Sequence, residues 1–169
     1  LGNTLNNQFR LKKSKKKIKK IIFISSSKHT KIFLNRDIKI FLNLLKLCEV
    51  KKIKLYFLDK PHVKRYLFLK KRLGKEFNYL NSKDRIKNNG LIKKDSLFVF
   101  CVSTLGYEIL SQGVKCISLN HTQFNRGLKK YKKEGPFWIN APTVNYEYES
   151  IKKILNTVIN YNEKKWEKI

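Results

Sequence analysis

Methionine is absent from this 169-residue sequence, and proline, glycine, cysteine and acidic side chains are all sparse. With no methionine and an opening of Leu1-Gly2-Asn3, the sequence reads as beginning partway through a longer protein or as a truncated copy. Three prolines and seven glycines exclude collagen-like and Gly/Pro-rich low-complexity chains. Cys48, Cys101 and Cys116 lie far apart, each in an apolar run. An odd number of such thiols argues against a disulfide framework and for a reducing compartment. His29, His62 and His121 are equally scattered, and no pair has metal-ligand spacing. No apolar run approaches the roughly 18 residues of a membrane-spanning helix, and no signal-peptide pattern is visible. Neither a Gly-x-Gly-x-x-Gly fingerprint nor a Walker-type loop is present, which lowers dinucleotide and ATP readings.

What the chain does have is apolar content and positive charge. Hydrophobic residues make up 41% and charged residues 30%, the balance of a folding chain long enough for one α/β domain. Lys and Arg number 39 against 12 Asp and Glu, for a formal net charge of +27. Such an excess suits a polyanionic partner: nucleic acid, an anionic membrane face or a phosphorylated substrate. A base-composition bias accounts for it as well, since Lys dominates Arg and Asn, Ile and Tyr are abundant. Residues 1–20 carry eight basic side chains and no acid, densest over Lys12–Lys20, as in a linker or the end of a preceding domain.

From residue 21 onward strand and helix patterns alternate. Residues 21–27 read as a buried strand ending in hydroxyls. A helical stripe follows, with Ile38, Phe41, Leu42, Leu45 and Cys48 on one face. Residues 53–58 return to strand character and break at Asp59-Lys60-Pro61-His62, because Pro61 cannot continue a central ladder. Val63–Leu73 is helical and closes at Gly74. Phe77–Leu80 is a short strand and Ser96–Val102 a clear one. Leu105–Gln112 is a short helix ended by Gly113, and Val114–Leu119 the next strand. Residues 120–143 are irregular. A last helix aligns Ile151, Ile154, Leu155, Val158 and Ile159. This order predicts an α/β fold: a Rossmann-like parallel sheet with helices on both faces, over residues 21–169.

Such sheets bind ligands at the carboxyl ends of their strands, which directs attention to Ser25–Lys28, Asp59–His62, Asn81–Ser82 and Ser103–Glu108. In the last segment Ser103 or Thr104 can cap the following helix, whose first-turn amides form an anion site. Gly106 would let a phosphate or sugar approach the backbone. Glu108, one turn on, could accept hydrogen bonds from two ribose hydroxyls, or simply favour the positive helix end. Lys60 and His62 could face a phosphate or leaving group, or belong to a solvated turn. Ser25-Ser26-Ser27-Lys28 offers hydroxyls to a phosphate. Gly135-Pro136-Phe137-Trp138 could stack on a ring or pack over a sheet edge.

The run Ser103-Thr104-Leu105-Gly106-Tyr107-Glu108-Ile109-Leu110-Ser111-Gln112-Gly113-Val114-Lys115 resembles the carboxyl-terminal motif of a bacterial surface carbohydrate biosynthesis family. The likeness continues through Gly135-Pro136-Phe137-Trp138 and the helix before Trp166. It includes Lys60-Pro61-His62, with Val63 where the family often has a second proline. That family is similar to two-domain GT-B glycosyltransferases and to UDP-N-acetylglucosamine 2-epimerases, whose carboxyl-terminal Rossmann-like domain binds the nucleotide sugar. The resemblance implies that Glu108 binds the ribose and that Ser103, Thr104 and the Gly106 amide hold the phosphates. Lys60 and His62 would sit nearby, His62 being the candidate for a catalytic role.

It further implies a nucleotide-sugar donor as substrate, no cofactor and no protein-bound metal. The reaction would be sugar transfer to a cell-surface polysaccharide or lipopolysaccharide. The glycan or lipid-linked acceptor would be held by an amino-terminal domain outside this sequence, so this chain alone would bind weakly and transfer nothing. The site would be cytoplasmic, at the inner face of the membrane if the basic surface touches anionic lipid, with no specific nucleic acid. A nucleotide-sugar epimerase, a basic nucleic-acid-binding module and a non-catalytic remnant are the alternatives.

Overall fold

A computed structural model describes residues 17–25, 31–59, 63–73, 77–81, 95–101, 103–119, 143–144 and 147–161. Among the described residues, six strands form one sheet: β1 (Lys20–Ile24), β2 (Lys54–Asp59), β3 (Asn78–Asn81), β4 (Ser96–Phe100), β5 (Cys116–Leu119) and β6 (Thr143–Val144). Four helices among the same residues accompany them: α1 (Lys31–Lys51), α2 (Val63–Leu73), α3 (Thr104–Ser111) and α4 (Tyr148–Ile159). The strand order is β3-β2-β1-β4-β5-β6, and every adjacent pair is parallel. The chain builds outward from β1 to β3, then returns to β4 on the other side of β1. The crevice between the carboxyl ends of β1 and β4 is therefore the topological switch point, where doubly wound sheets bind ligands.

Beyond their first residues, Lys20 and Ser96, β1 and β4 are apolar at every position because both of their faces are covered. Ile21 and Phe23 of β1, with Leu97, Val99 and Cys101 at β4, point into one layer with α1, α2 and α4. Ile22 and Ile24, with Phe98 and Phe100, point into the other, against α3. Phe23, Phe41 and Phe57 meet edge-on or tilted in the first layer, with centroids 5.0–6.4 Å apart. These fully buried rings are its largest apolar contribution.

Both faces of the sheet are covered, as the alternation of patterns implied, and the element order agrees within a residue or two at most ends. On α1 the expected Ile38, Phe41 and Cys48 are buried, joined by Ile40, Leu44 and Leu47, while Leu42 is exposed and Leu45 half-buried. Ile18 is in the core and the Lys19 amide donates to the Asp95 carbonyl at 2.8 Å. β6 at Thr143–Val144 was not anticipated, because two residues carry no periodicity.

Two helix ends use left-handed backbone. Gly113 (φ +79°) follows α3 and Lys52 (φ +53°) follows α1. At the latter, the Ile53 amide donates to the Cys48 carbonyl (3.0 Å) and the Lys52 amide to the Glu49 carbonyl (3.1 Å), a Schellman closure with lysine where glycine is usual.

Candidate functional site

The carboxyl end of the sheet gathers buried polar groups. β1 runs into Ser25, whose amide donates to the Leu58 carbonyl at 2.9 Å and whose hydroxyl donates to the Asp59 carboxylate. Both residues are buried. The register pairs Ile24 with Leu58, so the chain continuing from β1 lies beside Asp59, the last residue of β2. Asp59 thus ties the strand ends together immediately before the Lys60-Pro61-His62 segment.

One turn and a half into α1, Arg36 and Asp37 form a buried ion pair. The Asp37 carboxylate accepts from Nη2 at 3.0 Å and Nε at 3.3 Å of Arg36. Their charges reach Cys101, just past β4. Burial pushes its thiol up to about 12; Arg36 pulls it down and Asp37 raises it. Because α1 starts from the carboxyl side of β1, the pair lies toward that end of the sheet.

On the other side of the crevice, Ser103 begins α3. Its extended backbone (φ −152°, ψ 119°) and buried side chain make it the N-cap, and its hydroxyl accepts from the Gly106 amide at 3.3 Å. That leaves the Thr104 and Leu105 amides without an intrahelical acceptor. Gly106 is buried, and a Cβ there would fall 2.4 Å from the Phe100 ring. Its missing side chain thus serves close packing of helix on strand, and its amide serves the cap, where a direct approach of ligand had been expected. Tyr107 rests edge-on against Phe100 (centroids 5.1 Å, 80°). Burial raises its hydroxyl's pKa and a hydrogen bond with Ser118 lowers it. Thr104 and Glu108 are exposed on the same short helix.

Of the residues singled out from sequence, Ser25, Asp59 and Ser103 lie at the ends of adjoining strands, with Thr104, Gly106 and Glu108 on α3. Lys60, His62, Ser26–Lys28, Ser82 and the Gly135–Trp138 segment lie outside the described residues. Sequence reasoning missed Arg36 and Asp37. The signal was present: Asp37, Ile40, Phe41, Leu44 and Cys48 share one face at helical spacing, which puts a carboxylate on the buried stripe. Among the described residues, no three His, Cys, Asp or Glu side chains are placed to hold a metal ion.

This arrangement defines a doubly wound α/β domain with buried polar groups and a capped helix start at the carboxyl end of its sheet. The chain belongs to the family described as "putative O-antigen biosynthesis protein", whose pattern matches residues 1–169. Among solved structures, the fold is similar to one titled a "putative UDP-N-acetylglucosamine 2-epimerase" from Listeria monocytogenes, with a TM-score of 0.55 and 13% identity. The match covers 99% of this chain and 42% of that one, so this chain spans under half the length of that protein. No curated protein matches the sequence.

Proposed function

We propose that this domain binds the nucleoside diphosphate of a nucleotide sugar at the β1–β4 crevice, and that it serves an enzyme of O-antigen assembly. The observation that carries this reading is the capped amino terminus of α3, which follows the buried end of β4 at the switch point. The Thr104 and Leu105 amides and the positive helix end would hold phosphate oxygens. Glu108, exposed one turn on, would accept from the ribose hydroxyls. Pre-aimed amides stabilise charge on a departing diphosphate without having to reorganise.

For the reaction, epimerisation of the nucleotide sugar is the reading favoured by the likeness to a putative UDP-N-acetylglucosamine 2-epimerase. Donor binding for a glycosyltransferase is the second, favoured by the Ser103–Glu108 motif and by membership of an O-antigen family.

Titration with UDP, GDP, CDP and CMP tests the nucleotide site. One nucleotide should be preferred, and Glu108→Ala should weaken it by about ten-fold or more through loss of charge-assisted hydrogen bonds. Equal affinity before and after the substitution would remove Glu108 from the site. Sugar inversion without acceptor, followed by NMR in the protein that carries this domain, separates epimerase from transferase. Turnover that appears only with a glycan acceptor selects the second reading.

A further inference from the structure

The opposite end of the sheet has a different character. Lys19 and Lys20 lead β1, Lys54 leads β2, and their register pairs Lys20 with Lys54. The end of α1 adds Lys51 and Lys52 beside them, and all of these lysines except half-buried Lys20 are exposed. Because each helix returns antiparallel to its strand, the basic last turn of α2, Lys70 to Arg72, comes down at the same end. Within this rim stands Val50, 83% exposed in the last turn of α1. Glu49 and Asp95 are the acids that the described elements bring there.

Cations at helix carboxyl ends satisfy the helix dipole, which accounts for Lys51 and the end of α2. Lys19 and Lys54 precede or open strands and gain nothing from it. A composition-wide lysine bias predicts neither clustering at one end of the sheet nor an exposed valine there.

We infer that this rim docks the domain on an anionic lipid surface. An exposed aliphatic side chain at a lysine-rich end of the sheet fits the headgroup boundary, where apolar contact and charge attraction add. Surfaces for single-stranded nucleic acid interleave their cations with stacking aromatics. The exposed large apolar side chains among the described residues are instead Leu42, Val50 and Leu67. Docked in this way, the rim sits one strand length, roughly 17 Å for five residues, from the switch-point crevice, which faces away from the lipid. The inference stands independently of the nucleotide reading.

Co-sedimentation with phosphatidylcholine vesicles, with and without phosphatidylglycerol, tests it. Binding should require phosphatidylglycerol and decline with added salt. A combined Lys19→Glu, Lys51→Glu and Lys54→Glu variant, its fold checked by circular dichroism, should lose about a hundred-fold in partitioning. Reversal of Lys39, Lys152 and Lys153 should cost far less. Val50→Ser, at an exposed site that leaves folding intact, should weaken vesicle binding about five-fold while heparin binding stays unchanged. Equal losses from both charge-reversal sets would overturn the inference. So would unchanged vesicle binding by Val50→Ser, or displacement from vesicles by duplex DNA at equal total charge.

Discussion

The two ends of the sheet handle polar chemistry in opposite ways. At the carboxyl end Ser25, Asp59, Arg36, Asp37 and Ser103 are buried and bonded to one another or to backbone. At the amino end the lysines stand in water. A buried polar group is costly unless it is bonded, whereas an exposed lysine costs almost nothing. The carboxyl end is therefore the specified one, where single substitutions should be felt. The amino end can change charge freely without altering the fold, which suits a surface that acts through its field.

The largest expected effect is at Asp37. Asp37→Ala leaves the buried Arg36 guanidinium without its carboxylate and should destabilise the domain by about 3 kcal/mol in urea unfolding. A loss no greater than that of the triple lysine reversal would erase the contrast between the ends. Gly106→Ala comes next. The added methyl meets the buried Phe100 ring, and the strain should outweigh alanine's helix preference, for a net loss of about 2 kcal/mol. Wild-type stability in that variant would mean that α3 can ride away from β4. The smallest effect has the opposite sign: Lys52→Gly relieves a left-handed lysine and should stabilise by about 1 kcal/mol. A destabilisation there would show that the amino-end rim is held by more than backbone geometry.

Much of this was legible in the sequence, for physical reasons that differ by element. β1 and β4 announced themselves because strands covered on both faces must be apolar throughout. α3 was bounded by Ser103 and Gly113 because a cap and a left-handed turn demand particular residues. On α1 the spacing of Ile38, Phe41 and Cys48 marks the buried face, but Leu42 and Leu45 belong to an adjoining row that faces outward. Periodicity alone does not tell which of two adjoining apolar rows faces the sheet, and Asp37, although spaced to fall on the buried stripe, reads as a solvated acid until its arginine is placed beside it. The use of Gly106 was also hidden, since its meaning depends on Phe100, a neighbour across the helix–strand interface. Fold class thus followed from local pattern, while the polar contacts at the strand ends required tertiary placement.

The cysteines have a practical side. Cys48, Cys101 and Cys116 are buried and unbridged, and burial is the largest cause that lifts their pKa values, the first two to about 12. At neutral pH the nucleophilic thiolate is scarce and shielded, so the folded chain should be silent toward maleimides. A single cysteine introduced at Val50 or at Thr104 would then be the sole labelling position among the described residues. A fluorophore attached there would report contact at either end of the sheet without any native cysteine first being removed.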